Sequence, residues 1–266
     1  MLIFDTHAHY DDDAFNEDRD ELLRSLPEQG IGKIVDVGAS VASSHMAQEL
    51  AQKYEHVYCA LGVHPEEIGG FMGEESEENC RWLREQLTAE PKCVALGEIG
   101  LDYYWDTTAP EDQKRWFEWQ LELAREVNKP VIIHSREAAR DTADIMKEHK
   151  AGEIGGVVHC YSYSREMARE FLDMDFYFGI GGVLTYKNAR KLVETVEYLP
   201  LDKIVLETDC PYLSPVPNRG KRNSSLNIPY IVTAMSQIKG VTEEEIVRAT
   251  WENAHRLYRL NMQAVI

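Results

Sequence analysis

Eight short apolar runs alternate with helical stretches along the whole 266-residue chain, and that rhythm limits the architecture more than any other feature. The runs cover residues 2–9, 33–38, 57–62, 93–98, 130–134, 156–159, 176–180 and 203–208. Helical periodicity fills 15–29, 41–54, 74–87, 110–127, 137–149, 165–172 and 188–198, and two further helices, 228–238 and 243–260, close the chain. A strand, a helix and a second strand in succession pair in parallel through a right-handed crossover, and eight such units in about 250 residues close into a barrel. The expected fold class is therefore α/β, a TIM-like (β/α)8 barrel, with residues 1–266 as one domain. An open doubly wound sheet is the alternative, but it would place a glycine-rich phosphate loop after an early strand. Here the first strand runs instead into His9-Tyr10-Asp11-Asp12-Asp13.

Alternate side chains of an extended strand share a face, so His7 and His9 are expected to point together with Asp5. Imidazoles at the end of a buried strand need partners for their ring nitrogens once removed from water, and a metal ion satisfies two at once. Glu98, His134, His159 and Asp209 stand at the carboxyl ends of the fourth, fifth, sixth and eighth runs. In a closed barrel those ends surround one mouth, so residues far apart in sequence converge there. Any one of these histidines alone reads as a hydrogen-bonded core residue; six potential ligands at five strand ends read as a metal site. Four imidazoles and two carboxylates exceed the needs of one four-coordinate ion with an open position, so two divalent ions are expected, with Glu98 best placed to bridge them. The mixed nitrogen and oxygen set suits zinc, manganese or cobalt on softness and leaves magnesium open. Paired ions of this kind activate water and clamp the attacking and leaving oxygens of a displacement, which makes hydrolysis the natural chemistry.

The net charge of −18 argues against a protein that coats nucleic acid through a broad basic surface, while leaving room for a few cations in a cleft. Hydrophobic residues at 44% and charged ones at 28% place the chain among soluble globular proteins. Without a basic start, a cleavable apolar segment or a bilayer-length run, a cytoplasmic protein with no membrane contact is expected. The five cysteines, odd in number and without a close CxxC pair, suggest neither a disulfide framework nor a thiolate zinc site.

The segments FDTHAH, GVHPE, GEIGLDYY, PVIIHSRE, HCYS, ETDCPYLSP, RGKRN and ENAHRLY, in this order, resemble the TatD family of metal-dependent deoxyribonucleases, within the amidohydrolase superfamily of metal-binding barrels. The resemblance covers essentially the whole length. It implies a metal-dependent hydrolase barrel in which His7, His9, Glu98 and Asp209 bind one ion and Glu98, His134 and His159 the other. Asp209 would also orient or deprotonate the attacking water. The substrate implied is DNA, cut at its phosphodiester bonds as a 3′-5′ exonuclease on single-stranded or frayed ends, with zinc, manganese or magnesium as cofactor. No obligate protein partner is evident, and a monomer is expected. Rival readings are a hydrolase of small amides, lactones or phosphoesters, or of an aminoacyl ester on tRNA, and a metal-binding scaffold without catalysis, which a missing ligand would favour.

Other residues are candidates around the mouth. Glu207, two before Asp209 and deeper, would orient a ligand or carry a structural charge. His64 would contact a substrate phosphate or leaving group, or cap its turn. Arg219, Lys221 and Arg222 form the only tight basic cluster, after the eighth strand, with phosphate as the expected partner; Arg136 is a further substrate-binding candidate. Tyr103, Tyr104 and Trp105 would supply a base-stacking wall or pack as a lid. Asp5 is expected as a buried partner of polar groups below the site. Ser224 and Ser225 replace a frequent acidic residue and proline of the family, and Tyr163 a frequent glycine; these loop changes would bear on substrate preference.

Overall fold

The computed structural model describes residues 2–71, 76–105 and 107–261. Eight parallel strands follow one another in sequence order: β1 (Ile3–Ala8), β2 (Ile31–Val37), β3 (Val57–Leu61), β4 (Cys93–Asp102), β5 (Val131–Arg136), β6 (Gly156–Val158), β7 (Tyr177–Ile180) and β8 (Ile204–Leu206). The helices are α1 (Arg19–Ser25), α2 (Val41–Lys53), α3 (Ile68–Phe71), α4 (Ser76–Ala89), α5 (Pro110–Val127), α6 (Ala139–Glu148), α7 (Arg165–Leu172), α8 (Arg190–Tyr198), α9 (Ile228–Lys239) and α10 (Glu243–Leu257). The expected start of a helix at Glu74 lies outside the described residues. β8 returns to β1 through individual bonds: the Asp209 N–H to the His7 carbonyl (2.9 Å), the His9 N–H to the Cys210 carbonyl (2.8 Å) and Thr6 Oγ1 to the Leu206 carbonyl (3.0 Å). The barrel thus closes at the residues that carry candidate chemistry.

Phe4, Val35, Val37, Ala60, Val94, Ile132, Val157 and Val205 form one buried cluster with Tyr177 packed against it. A set drawn from every strand of a barrel meets on its axis. Ala254, Leu257 and Tyr258 of the α10 region join this cluster, and the Tyr258 hydroxyl donates to the Thr6 carbonyl at 2.7 Å. The last helix therefore plugs the amino-terminal end of the barrel and leaves the carboxyl-terminal mouth for function. A larger cluster, with Ile34, Leu96, Ile133 and Phe178 from the strands and Leu50, Leu121, Met146 and Ile231 from the helices, fills the layer between them.

Three local expectations change. The stretch 15–29 is not one helix, because Pro27 cannot donate an i→i−4 bond and the Arg19 guanidinium ties down the carbonyls of Tyr10, Asp11 and Asp12 ahead of α1. β4 runs four residues past Glu98, to Asp102. Gly100 permits this with φ at +143°; a Cβ there would collide with the His134 carbonyl oxygen. Asp5 does not join His7 and His9: the β1–β2 register shifts between Asp5 and Ala8, so strict alternation fails across that step. Its carboxylate is the buried partner of polar groups expected below the site, accepting from Thr208 Oγ1 and Ser225 Oγ, both at 2.7 Å, and burial raises its pKa to about 6. All five cysteines are free, and no helix among the described residues is long and apolar enough to cross a membrane.

Candidate metal centre

β1, β4 and β8 bring the first donor group together. Nε2 of His7 and Nε2 of His9 lie 3.1 Å apart. Asp209 Oδ1 lies 3.3 Å from the His9 nitrogen and 3.7 Å from that of His7, and Glu98 Oε2 lies 3.8 and 3.4 Å from the same two atoms. Around the other oxygen, Glu98 Oε1, stand His134 Nδ1 at 2.6 Å and His159 Nε2 at 2.5 Å, themselves 3.2 Å apart. Glu98 thus offers one oxygen to each group.

Neighbouring atoms fix which nitrogen each ring presents. His9 Nδ1 donates to the Val37 carbonyl at 2.8 Å, leaving Nε2 for the cluster. His134 Nε2 donates to Asp102 Oδ2 at 2.9 Å, leaving Nδ1. The rings of His7 and His159 stack, with centroids 4.0 Å apart and planes 11° from parallel. Asp209 takes a left-handed φ of 55°, which aspartate tolerates better than most residues, and its N–H bond to His7 holds that turn.

Ligands of a tetrahedral ion at about 2.0–2.1 Å lie about 3.3 Å from one another, and the donor separations of the first group fall close to that value. The charge balance also favours cations. Burial opposes a charge on His9, yet the Asp209, Asp11 and Glu98 carboxylates outweigh it and raise its pKa to about 10. His134 is raised to about 9 against the same burial, by Asp102 and Glu98. Burial and His159 lower His7 to about 4. Glu98 stays well below its ordinary range although burial works the other way, because His159, His134 and His7 surround it. The residues present therefore fit divalent ions in number of donors, spacing and charge.

Comparison with known proteins decides the family. A family model described as TatD related DNase matches residues 4–259. The chain belongs to the TatD family. Among its TatD relatives, the uncharacterized metal-dependent hydrolase YabD of Bacillus subtilis is 41% identical over 260 residues, 98% of this chain and 100% of that protein. The crystal structure of YjjV, a TatD homolog from Escherichia coli, superposes with a TM-score of 0.90 at 30% identity, over 97% of this chain and 98% of that one. A TatD family hydrolase from Entamoeba histolytica gives 0.86 at 25% identity, over 97% and 98%. This TatD chain is a metal-dependent hydrolase with a TIM barrel.

The remaining candidates of this TatD protein divide by position. His64 both caps its turn and faces the centre: Nδ1 accepts the Glu66 N–H at 3.2 Å, and Nε2 lies 3.8 Å from Glu98 Oε1. Glu207 Oε1 accepts the N–H of Cys160, next to His159, at 2.5 Å, so it supports the end of β6 through the backbone. Gly179 leaves it room, since a Cβ there would collide with Oε2, and burial, reinforced by Asp209, raises the Glu207 pKa well above the ordinary range. Arg136 lies over the Tyr104 ring at 3.9 Å and Arg219 over Tyr186 at 4.3 Å. Lys221, exposed on the same loop, donates its backbone N–H to the Asn218 carbonyl.

Arg222 departs from its expected phosphate role. Its guanidinium forks onto both oxygens of Asp18, at 2.7 and 2.5 Å, and bonds the Ala14 carbonyl, so it clasps two loops. Ser225 is fully buried and bonds Asp5 and Tyr10 beneath the centre, so its part is in the packing below the donors. Tyr163 fastens the loop after β5 through Ser135 and the Ala138 N–H. Two residues escaped the sequence reading. Asp102 orients His134, and its signal was its place in the GEIGLDYY segment, four residues after Glu98; Asn223 spans the carbonyls of Thr208 and Tyr212 and braces the loop after β8, signalled by the RGKRN segment.

Proposed function

We propose that this TatD protein is a deoxyribonuclease that hydrolyses DNA phosphodiester bonds at two divalent ions, trimming single strands or frayed ends from the 3′ side. The observation that carries the reading is the division of Glu98, whose Oε2 faces His7 and His9 while Oε1 faces His134 and His159. Two ions held by these groups, with Asp209 completing the first, would supply Lewis-acid activation of water and offset charge gathering on phosphoryl oxygens. Zinc, manganese and magnesium all remain candidates on ligand type.

The chain's own residues supply the proton chemistry. Asp209 is the more open of the two carboxylates in the cluster, with 19% of its side chain exposed against 5% for Glu98, and it takes the proton of the attacking water. His64 is held neutral, its pKa lowered to about 3 by burial and His134. With Nδ1 accepting from Glu66, its proton sits on Nε2 and donates to a substrate oxygen on the His134 side. DNA as substrate is supported by the description of the family and by Arg136 and Arg219 at the mouth. No protein partner is needed on this reading, because every donor comes from one chain. Five free cysteines suit the reducing cytoplasm, where we place it as a monomer.

The test is a digest of end-labelled single-stranded DNA by protein stripped with chelator and reloaded with zinc, manganese or magnesium. Stepwise shortening from the 3′ end is expected. Turnover of lactones, amides or aminoacyl esters in a parallel panel, with DNA left intact, would overturn the proposal.

A further inference from the structure

Tyr104 and Trp105, at 49% and 48% exposure, are the only adjacent pair among the exposed large apolar residues described. They sit where the chain leaves β4 at the mouth of the barrel. Two aromatic rings left in water forgo the stabilisation of burial, and a contiguous exposed apolar surface usually meets a ligand or partner. The backbone beneath them is fastened. Asp102 Oδ1 accepts the N–H groups of Tyr104 at 2.9 Å and Trp105 at 3.2 Å, while Oδ2 holds the His134 ring. Asp102 is itself clasped by Gln113, which accepts its N–H and donates to its carbonyl, both at 2.8 Å. One buried carboxylate therefore ties the aromatic pair to the donor group around Glu98.

The rings stand edge to face, centroids 4.7 Å apart at 88°. The Arg136 guanidinium lies 3.9 Å from the Tyr104 centroid and 5.6 Å from that of Trp105, and no carboxylate described pairs with it within 4.0 Å. In a chain of net charge −18, an arginine without a close ion pair among the described residues, set against exposed rings beside a donor cluster, suits a flat, anionic ligand.

We propose that Tyr104, Trp105 and Arg136 form a subsite for one unpaired nucleotide of the substrate strand, its base against the rings and its phosphate toward the guanidinium. The proposal rests on the nuclease reading above and narrows it. Bases inside a duplex are already stacked on both faces, so only an unpaired or frayed nucleotide can use the platform. Substrate choice between single and double strands then follows from these side chains, and the metal ligands take no part in it.

The test is a KM cycle on metal-loaded protein. Parent, the Tyr104→Ala/Trp105→Ala variant and the Tyr104→Phe/Trp105→Phe variant each receive a 3′-labelled single-stranded oligonucleotide and the same strand with abasic residues at its terminal positions. Bound metal is measured in each variant. Stacking on one base is expected to make the alanine pair raise KM on the normal strand by about 10-fold or more. On the abasic strand parent and alanine pair should have equal KM, while the phenylalanine pair should keep most of the parent's preference for bases. Parental KM for the alanine pair on the normal strand would overturn the subsite and leave the nuclease standing. So would equal KM increases on both strands or loss of bound metal, since either assigns the pair to support of the Asp102 loop. A parent that cuts neither strand would instead bring down the nuclease reading itself.

Discussion

Oδ2 of Asp102 accepts a hydrogen bond from Nε2 of His134 at 2.9 Å, and this contact sets which face of the imidazole meets Glu98. A carboxylate behind a metal-binding histidine fixes the ring and raises its basicity, and its loss typically costs about 10- to 100-fold in metal affinity. Asp102→Ala should weaken binding by that factor in chelator competition, with a smaller loss for Asp102→Asn. Parental affinity in both variants would show that His134 is positioned without Asp102.

Glu98 turns one carboxylate oxygen to each donor group, Oε2 toward His7 and His9 and Oε1 toward His134 and His159. Glu98→Gln removes one negative charge from both at once, so bound metal should fall below two ions per chain. Loss of His159 should affect one ion only. Metal analysis after dialysis separates these outcomes, and two ions retained as tightly as in the parent would refute the bridging role.

Asp209→Asn keeps the shape and one oxygen of the side chain, and its N–H bond to His7 is untouched. It cannot accept a proton. Turnover should drop by about 100- to 10,000-fold, the usual range for general-base assistance, with the fold and most metal retained. Recovery of near-parental turnover at alkaline pH with excess metal would remove Asp209 from that role.

After chelation, pH should act through the histidines in a defined direction. His9 at about 10 and His134 at about 9 lie above the ordinary histidine value of about 6.5. A group whose pKa rises on folding stabilises the protein below its unfolded value and loses that contribution as pH climbs through the folded one. Chelated protein should therefore lose stability between about pH 6.5 and 10 through these two rings. His7, lowered to about 4, works in the opposite sense and penalises acid. Metal must displace the protons of His9 and His134, so binding at pH 7 should release about two protons and strengthen as pH rises. Calorimetry in buffers of different ionisation enthalpy measures the release, and a value near zero would contradict the charge assignment.

The barrel was legible because a strand buried on both faces is a continuous apolar run, and eight such runs alternating with helices admit few topologies. His7, His9, Glu98, His134, His159 and Asp209 were legible for the complementary reason: polar residues at the ends of apolar runs have no place in a core. Asp102 was not, since a carboxylate at the end of a strand has no distinguishing feature until backbone register sets Gly100 opposite His134, with Asp102 two residues further along β4. Asp5 was legible as a buried partner of polar groups below the site, but its expected alignment with His7 and His9 fails at a register shift, and only the structure shows Thr208 and Ser225 as its partners. Arg222 was read as a phosphate ligand because sequence gives a charge without its partner; closure of the ring brings it to Asp18, 204 residues away. Sequence alone determined which elements form and which residue types cluster at their ends, because periodicity and polarity are local properties of the chain. Tertiary structure alone decided which oxygen faces which nitrogen and which cation is neutralised, because hydrogen bonding and ion pairing depend on distances of a few ångströms set by strand register and barrel closure.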